Sequence, residues 1–133
     1  MDKEFLAQVF LLDREVRSMK EQIEMLRDES VSIRQVLSAD KVQSTKVVDR
    51  IGNIVADIVD IENEYARLVT KRLMVKAEII KAVEAVEDDV SRLILRERYV
   101  NLKRWEDIAE DNLYSVKHLH RLHNKALEII ENS

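Results

Sequence analysis

A chain with no proline and a single glycine, Gly52, has almost no means of making tight turns. Proline presets the backbone at turn corners, and glycine supplies the left-handed conformations that sharp reversals need. Without them the economical solution is a few long helices joined by few bends. Charged residues at 36% and aromatics at 5% fit that solution, because long helices need solvated flanks rather than a large aromatic core. With 133 residues there is room for one or two small domains.

Cysteine is absent, so neither a disulfide nor a thiolate metal site is possible, which fits a reducing cytoplasm. The first residues are acidic early and their apolar run is interrupted. No stretch approaches the ~20 apolar residues of a membrane span, and we expect neither a signal peptide nor a membrane partner. The net charge of -4 argues against a protein that coats nucleic acid over its whole surface. A local basic face remains compatible with it, since screening makes the nearby surface count most.

From Phe5 onward, apolar residues recur at alternating steps of four and three: Phe5, Val9, Leu12, Val16, Met19, Ile23 and Leu26, then Ile33 and Leu37. Only Ser30 breaks the series. A heptad seam of this length predicts a helix from about Asp2 to Leu37, packed in coiled-coil manner. Ser38–Thr45 interrupts the pattern with small, polar residues and reads as a bend, with Ser44 or Thr45 capping the helix that follows. Lys41 and Gln43 there either decorate a solvated loop or meet a partner.

The next helix is expected from about Lys46 to Val86. Its seam is Val47, Ile51, Ile54, Ile58, Ile61, Tyr65, Leu68, Val75 and Ile79. A second apolar row runs beside it: Val48, Val55, Val59, Ala66, Val69, Leu73, Ile80 and Val83. Pairing with one helix needs only a narrow stripe, and this stripe is wide. A second subunit is the simplest cover, so a homodimer or higher homo-oligomer is expected. Gly52 costs ~1 kcal/mol against alanine in a helix interior; a close helix approach and a tolerated defect explain it equally well.

Glu87, Asp88 and Asp89 favour the positive end of a new helix dipole. The third helix is expected over Val90–Val100, with Leu93, Ile94, Tyr99 and Val100 inward. Asn101–Arg104 connects it to a short helix, Trp105–Asn112. Leu113 and Tyr114 make a corner, and Ser115 caps a longer helix by accepting a first-turn amide. Leu119, Leu122, Ala126, Ile129 and Ile130 share one face of that helix. Lys117, Arg121, Asn124 and Lys125 lie opposite, with His118 and His120 at the flanks. The last three helices are expected to pack around Leu93, Leu95, Trp105, Ile108, Ala109, Leu119, Leu122 and Ala126. Trp105 is in register with Ile108 and Ala109, as a core residue is.

Charge changes sign at the corner. Glu106, Asp107, Glu110 and Asp111 precede it, whereas 112–125 carries three cations (Lys117, Arg121, Lys125) and no acid. Lys117 and Arg121 stand four apart, where like charges repel by a few tenths of a kcal/mol. Clustering them without a neutralising acid points to a polyanionic partner. A supporting helix that stays off the phosphates and a recognition helix that offers donors are what a helix-turn-helix needs on duplex DNA.

The segments Leu95-Arg96-Glu97-Arg98-Tyr99, Trp105-Glu106-Asp107-Ile108-Ala109 and Ser115 through Lys125-Ala126-Leu127 resemble region 4 of bacterial sigma factors and the regulators that share its fold. With the Lys41–Thr45 segment, KVQST, the chain is similar over nearly its full length to small phage and prophage proteins of Gram-positive hosts, relatives of the ArpU- and RinA-type late transcription regulators. The resemblance implies an all-α fold. A long antiparallel, coiled-coil-like helical hairpin (1–87) would form an oligomerisation arm, followed by a three-helix sigma-region-4-like helix-turn-helix domain (88–133). It also implies a cytoplasmic activator of late genes in a bacterial host, with RNA polymerase as a further partner.

In the DNA-binding reading, Arg121 is placed for a bidentate guanine contact and Asn124 for adenine, with Lys117, His118, His120 and Lys125 beside them. Ser115 is assigned to offer its backbone amide to a phosphate. Lys103 and Arg104 are assigned as phosphate clamps; Arg104 also stands where the sigma-type pattern often has a hydroxyl or small residue, which leaves the cap of that helix unassigned. The three histidines, His118, His120 and His123, do not share a face and lack a cysteine or nearby acid, so no metal and no cofactor is expected. Protonated, they would strengthen DNA binding at low pH. No nucleophile elbow, phosphate loop or paired carboxylates suggest catalysis. Two alternatives remain: a ring-forming, small-terminase-like packaging subunit, and a helical adaptor that docks on a host protein such as RNA polymerase without touching DNA.

Overall fold

The computed structural model describes residues 1–40 and 45–133. It is all-helical, with no strand among the described residues. Helix α1 spans Lys3–Asp40 and α2 spans Thr45–Glu84. Then come α3, Asp89–Leu95, which continues into a π-helical segment, Arg96–Val100; α4, Trp105–Asp111; and α5, Val116–Glu131.

The expected bend at Ser38–Thr45 is corrected at both ends. Ser38, Ala39 and Asp40 continue α1, because nothing in them forbids helix, and Thr45 already lies inside α2. The remaining residues of that bend, Lys41–Ser44, lie outside the described residues, and with them the expectations for Lys41, Gln43 and Ser44.

The chain packs as two compact units, Met1–Asp13 with Lys71–Ser133 and Arg14–Thr70. The first extends beyond 88–133, taking in the start of α1 and the last part of α2. In it Leu6, Val9, Leu12, Val75, Ile79, Val83 and Val86 are buried, and Asp13 pairs with Arg72 at 3.2 Å. Phe5 is only half-buried where the seam placed it, while Leu6 is fully buried. The reason is local: near its start α1 also meets the C-terminal helices, where Phe10 lies edge-on to Tyr99 at 5.8 Å, so a wider face is covered.

In the second unit Val16 and Ile58 are buried, and Arg27 is salt-bridged to Glu62. Ile33 and Ile54, which the heptad counting places in the seam, are 47% and 45% exposed. A Cβ built on Gly52 would meet nothing within 4 Å, so close approach within the chain does not explain this glycine. The second apolar row of α2 is largely bare: Val48 and Val59 are exposed in this unit, and Leu73 and Ile80 in the other.

The C-terminal helices pack around Ile94, Ile108, Ala109 and Leu119, with Trp105, Tyr114 and Leu122 against them. Helix α3 starts where the acid run suggested. Asp88 is its cap, accepting the Ser91 amide at 3.0 Å and the Ser91 hydroxyl at 2.6 Å, and these bonds hold its carboxyl below the usual range. Ile94, Leu95 and Tyr99 are buried, while Leu93 and Val100 stay half-buried.

Candidate nucleic-acid interface

The corner between α4 and α5 is built by backbone hydrogen bonds in a Schellman arrangement. The Tyr114 amide donates to the Ala109 carbonyl at 2.9 Å, and the Leu113 amide to the Glu110 carbonyl at 3.3 Å. This requires a left-handed residue after the Asn112 cap. Leu113 supplies it at φ 57°, a position where glycine is the usual choice. Tyr114 folds back onto the core, whereas Leu113 is 94% exposed.

Ser115 then caps α5: its Oγ accepts the His118 amide at 3.1 Å. That bond uses the side chain, while the Ser115 backbone is extended. Leu119, Ala126 and Ile130 turn inward, which sets the rest of α5 by its 3.6-residue period. Lys117, His120, Arg121, Asn124 and Lys125 are all exposed, and His118 is half-exposed. Arg121 Nη2 lies 3.2 Å from His118 Nδ1, whose ring is edge-on to Tyr114 at 5.2 Å.

Four cations of this region are ion-paired with acids. Arg92 is paired with Asp89, Arg96 with Glu84, Lys103 with Asp111 at 3.1 Å and Arg104 with Asp107 at 3.2 Å. By contrast, among the described residues no carboxylate forms an ion pair with Lys117, Arg121 or Lys125. The exposed side of the first turns of α5 therefore presents Lys117 and Arg121 as cations without an acid partner, while Lys125 further along acts on Asp88 and helps hold its carboxyl low. Arg104 precedes α4 with an extended backbone and no side-chain cap bond, so the first-turn amides of α4 gain nothing from that side chain.

Behind this face lies an aromatic cluster that spacing alone did not reveal. The Arg98 guanidinium sits over the Phe10 ring at 4.3 Å and over the Trp105 ring at 4.5 Å, while donating to the Lys103 carbonyl at 2.8 Å. Burial lowers its pKa. Trp105 meets His123 edge-on at 4.5 Å and His120 at 5.2 Å. His123 stacks on Tyr99, with the Tyr99 hydroxyl 2.8 Å from Nε2. Burial pushes the His123 imidazole down to about 4, and the His120 and Arg98 charges act in the same direction. Trp105 thus faces side chains of this chain on several sides, as its register with Ile108 implied. His123, by contrast, is taken out of the group of histidines expected to gain charge under mild acid. Among the described residues, no three His, Asp or Glu side chains come together to hold a metal ion.

No helix of the described residues is long and apolar enough to cross a membrane. Compared with known proteins, the chain matches no family model, no curated protein and no solved structure.

Proposed function

We propose that this chain is a sequence-specific DNA-binding transcription regulator. In this reading α4, the Leu113–Tyr114 corner and α5 form a helix-turn-helix of the sigma-region-4 type. Helix α5 enters the major groove with its first turns. Arg121 addresses guanine and Asn124 adenine, and Lys117 and Lys125 reach phosphates or base edges. Lys103 and Arg104 approach the backbone from the start of α4. The observation that carries the reading is the division of exposed cations: Arg92, Arg96, Lys103 and Arg104 are ion-paired with acids, and Lys117 and Arg121 in the first turns of α5 are not.

The resemblance of the Leu95–Tyr99, Trp105–Ala109 and Ser115–Leu127 segments to sigma region 4 and to phage late regulators suggests the setting, activation of late genes in a bacterial cytoplasm. Residues 1–87 then serve as an antiparallel helical hairpin that self-associates through the second apolar row of α2. A dimer would present two recognition helices to half-sites about one turn, ~34 Å, apart or a multiple of it.

The test is DNA binding by the purified protein, followed by fluorescence anisotropy across a salt series, beside a Lys117→Ala/Arg121→Ala double variant. Binding should weaken with salt, and the slope of log affinity against log salt should fall by about two in the double variant if both side chains meet phosphates. A smaller slope change with lost sequence preference would assign them to bases. No binding by the wild type at low salt would overturn the DNA reading in favour of an adaptor.

A further inference from the structure

Two exposed apolar side chains stand beside the cationic face. Leu113 is 94% exposed and Val116, the first residue of α5, is 45% exposed. Leu113 also holds a left-handed backbone at φ 57°, which is unfavourable for an L-residue relative to glycine. A side chain so exposed returns none of that cost through packing in the folded chain. The one structural need at this position, a left-handed cap, is met better by glycine. Leu102 holds the same conformation at φ 54° but is half-buried; at Leu113 the side chain is exposed, and strain kept at an exposed position points outward to a partner.

Placement limits what that partner is. Both residues adjoin the Ser115 cap, within four positions of Lys117, in a stretch without any acid from 112 to 125. A partner at this corner must present negative charge and, within a few ångströms, small apolar groups. Duplex DNA does both: in the major groove the thymine 5-methyl stands beside donors, acceptors and phosphates. A polyanion without such methyls gives Leu113 and Val116 nothing.

Resting on the DNA-binding reading, we infer that Leu113 and Val116 are specificity-determining residues that select thymine by contact with its 5-methyl group. They would sit at the leading edge of the recognition surface and supplement the polar readout by Arg121 and Asn124.

The experiment uses the full-length protein. Preferred duplexes are selected from a randomised double-stranded pool. Anisotropy is then measured on the recovered duplex with each thymine replaced, one at a time, by deoxyuracil, which removes only the methyl. For the wild type, one or two positions should weaken binding by about fourfold each, the value of one buried methyl. Val116→Ala should erase the penalty at one position and Leu113→Asn, which tolerates a left-handed backbone, at the other. Circular dichroism checks that both variants keep their helices.

Indifference of the wild type to every replacement overturns the inference and leaves the DNA reading standing. So do penalties that persist unchanged in both variants, or variants that alter self-association instead. Recovery of no duplex above background overturns both.

Discussion

The Lys103 Nζ donates to Oδ2 of Asp111 at 3.1 Å, so one of the two cations before the supporting helix is held by an acid at that helix's own end. This bond, with Glu97 and Asp107 nearby, raises the Lys103 pKa and keeps the ammonium charged. If Lys103 is a phosphate clamp, Asp111 competes with the phosphate for it. Asp111→Asn removes both the charged competitor and a negative charge beside Lys103. The variant should bind duplex DNA more tightly at low salt, with a salt slope steeper by up to about one unit. Unchanged affinity and slope would show that Lys103 stays off the backbone.

The Tyr99–His123 contact makes stability depend on pH. In the folded chain the His123 pKa lies near 4, below the ordinary value of 6.5, chiefly through burial. The unfolded chain therefore takes up the proton first as pH falls. The contribution of neutral His123 is full above about 6.5 and is lost between there and about 4. The groups that face it are Tyr99, Trp105, His120 and Arg98, of which the last two oppose a further positive charge. A Tm measured against pH should decline through this window, and His123→Phe should flatten the decline while keeping the ring contacts. A profile equally steep in the variant would place the acid sensitivity elsewhere.

The one glycine and the corner leucine are reversed from what backbone preference would choose. Gly52 lies within α2, where a Cβ would meet no neighbour within 4 Å, and Leu113 holds the left-handed corner. Gly52→Ala should stabilise the chain by about 1 kcal/mol. Leu113→Gly should add about 0.5–1 kcal/mol at the cost of whatever Leu113 recognises. Both are read as a rise in urea midpoint. If Gly52→Ala instead lowers the midpoint, a second copy approaches closely there.

Much of the fold was legible because periodicity reports burial directly. Val9, Leu12, Val16, Ile58, Val75 and Ile79 are buried where the seams placed them, and Ser115 caps α5 as its position suggested. At the start of α1 heptad counting differs from the structure because it assumes one partner helix, whereas Phe10 also meets Tyr99 and Arg98. The Phe10–Arg98–Trp105 sandwich was invisible for a related reason. It joins residues far apart in the chain, and an arginine in RERY reads as solvated charge until a ring is brought to each side. The π-helical turn at Arg96–Val100 leaves no mark in residue spacing at all. The pairing of Lys103 and Arg104 with α4 acids had a visible signal, the four acids of 106–111, which was read as keeping that helix off DNA.

The bare apolar row offers the most direct test of self-association. In the unit formed by Met1–Asp13 and Lys71–Ser133, Leu73 and Met74 are 67% and 62% exposed, and Ile80 is 43% exposed. Leu73 has little to lose inside a single chain, and glutamate is a good helix former, so Leu73→Glu leaves α2 intact. In an oligomer that buries this position the carboxylate would be desolvated without a partner, weakening association about tenfold or more. Light scattering should give the wild type a mass of two or more chains and show Leu73→Glu shifted towards one chain at equal concentration. DNA affinity should fall with it, since two linked recognition helices bind one site far better than either alone. A monomeric wild type would sink the arm's assigned role, and a wild-type mass retained in Leu73→Glu would move the interface to another face. A closed ring of many chains would favour the packaging subunit over the regulator.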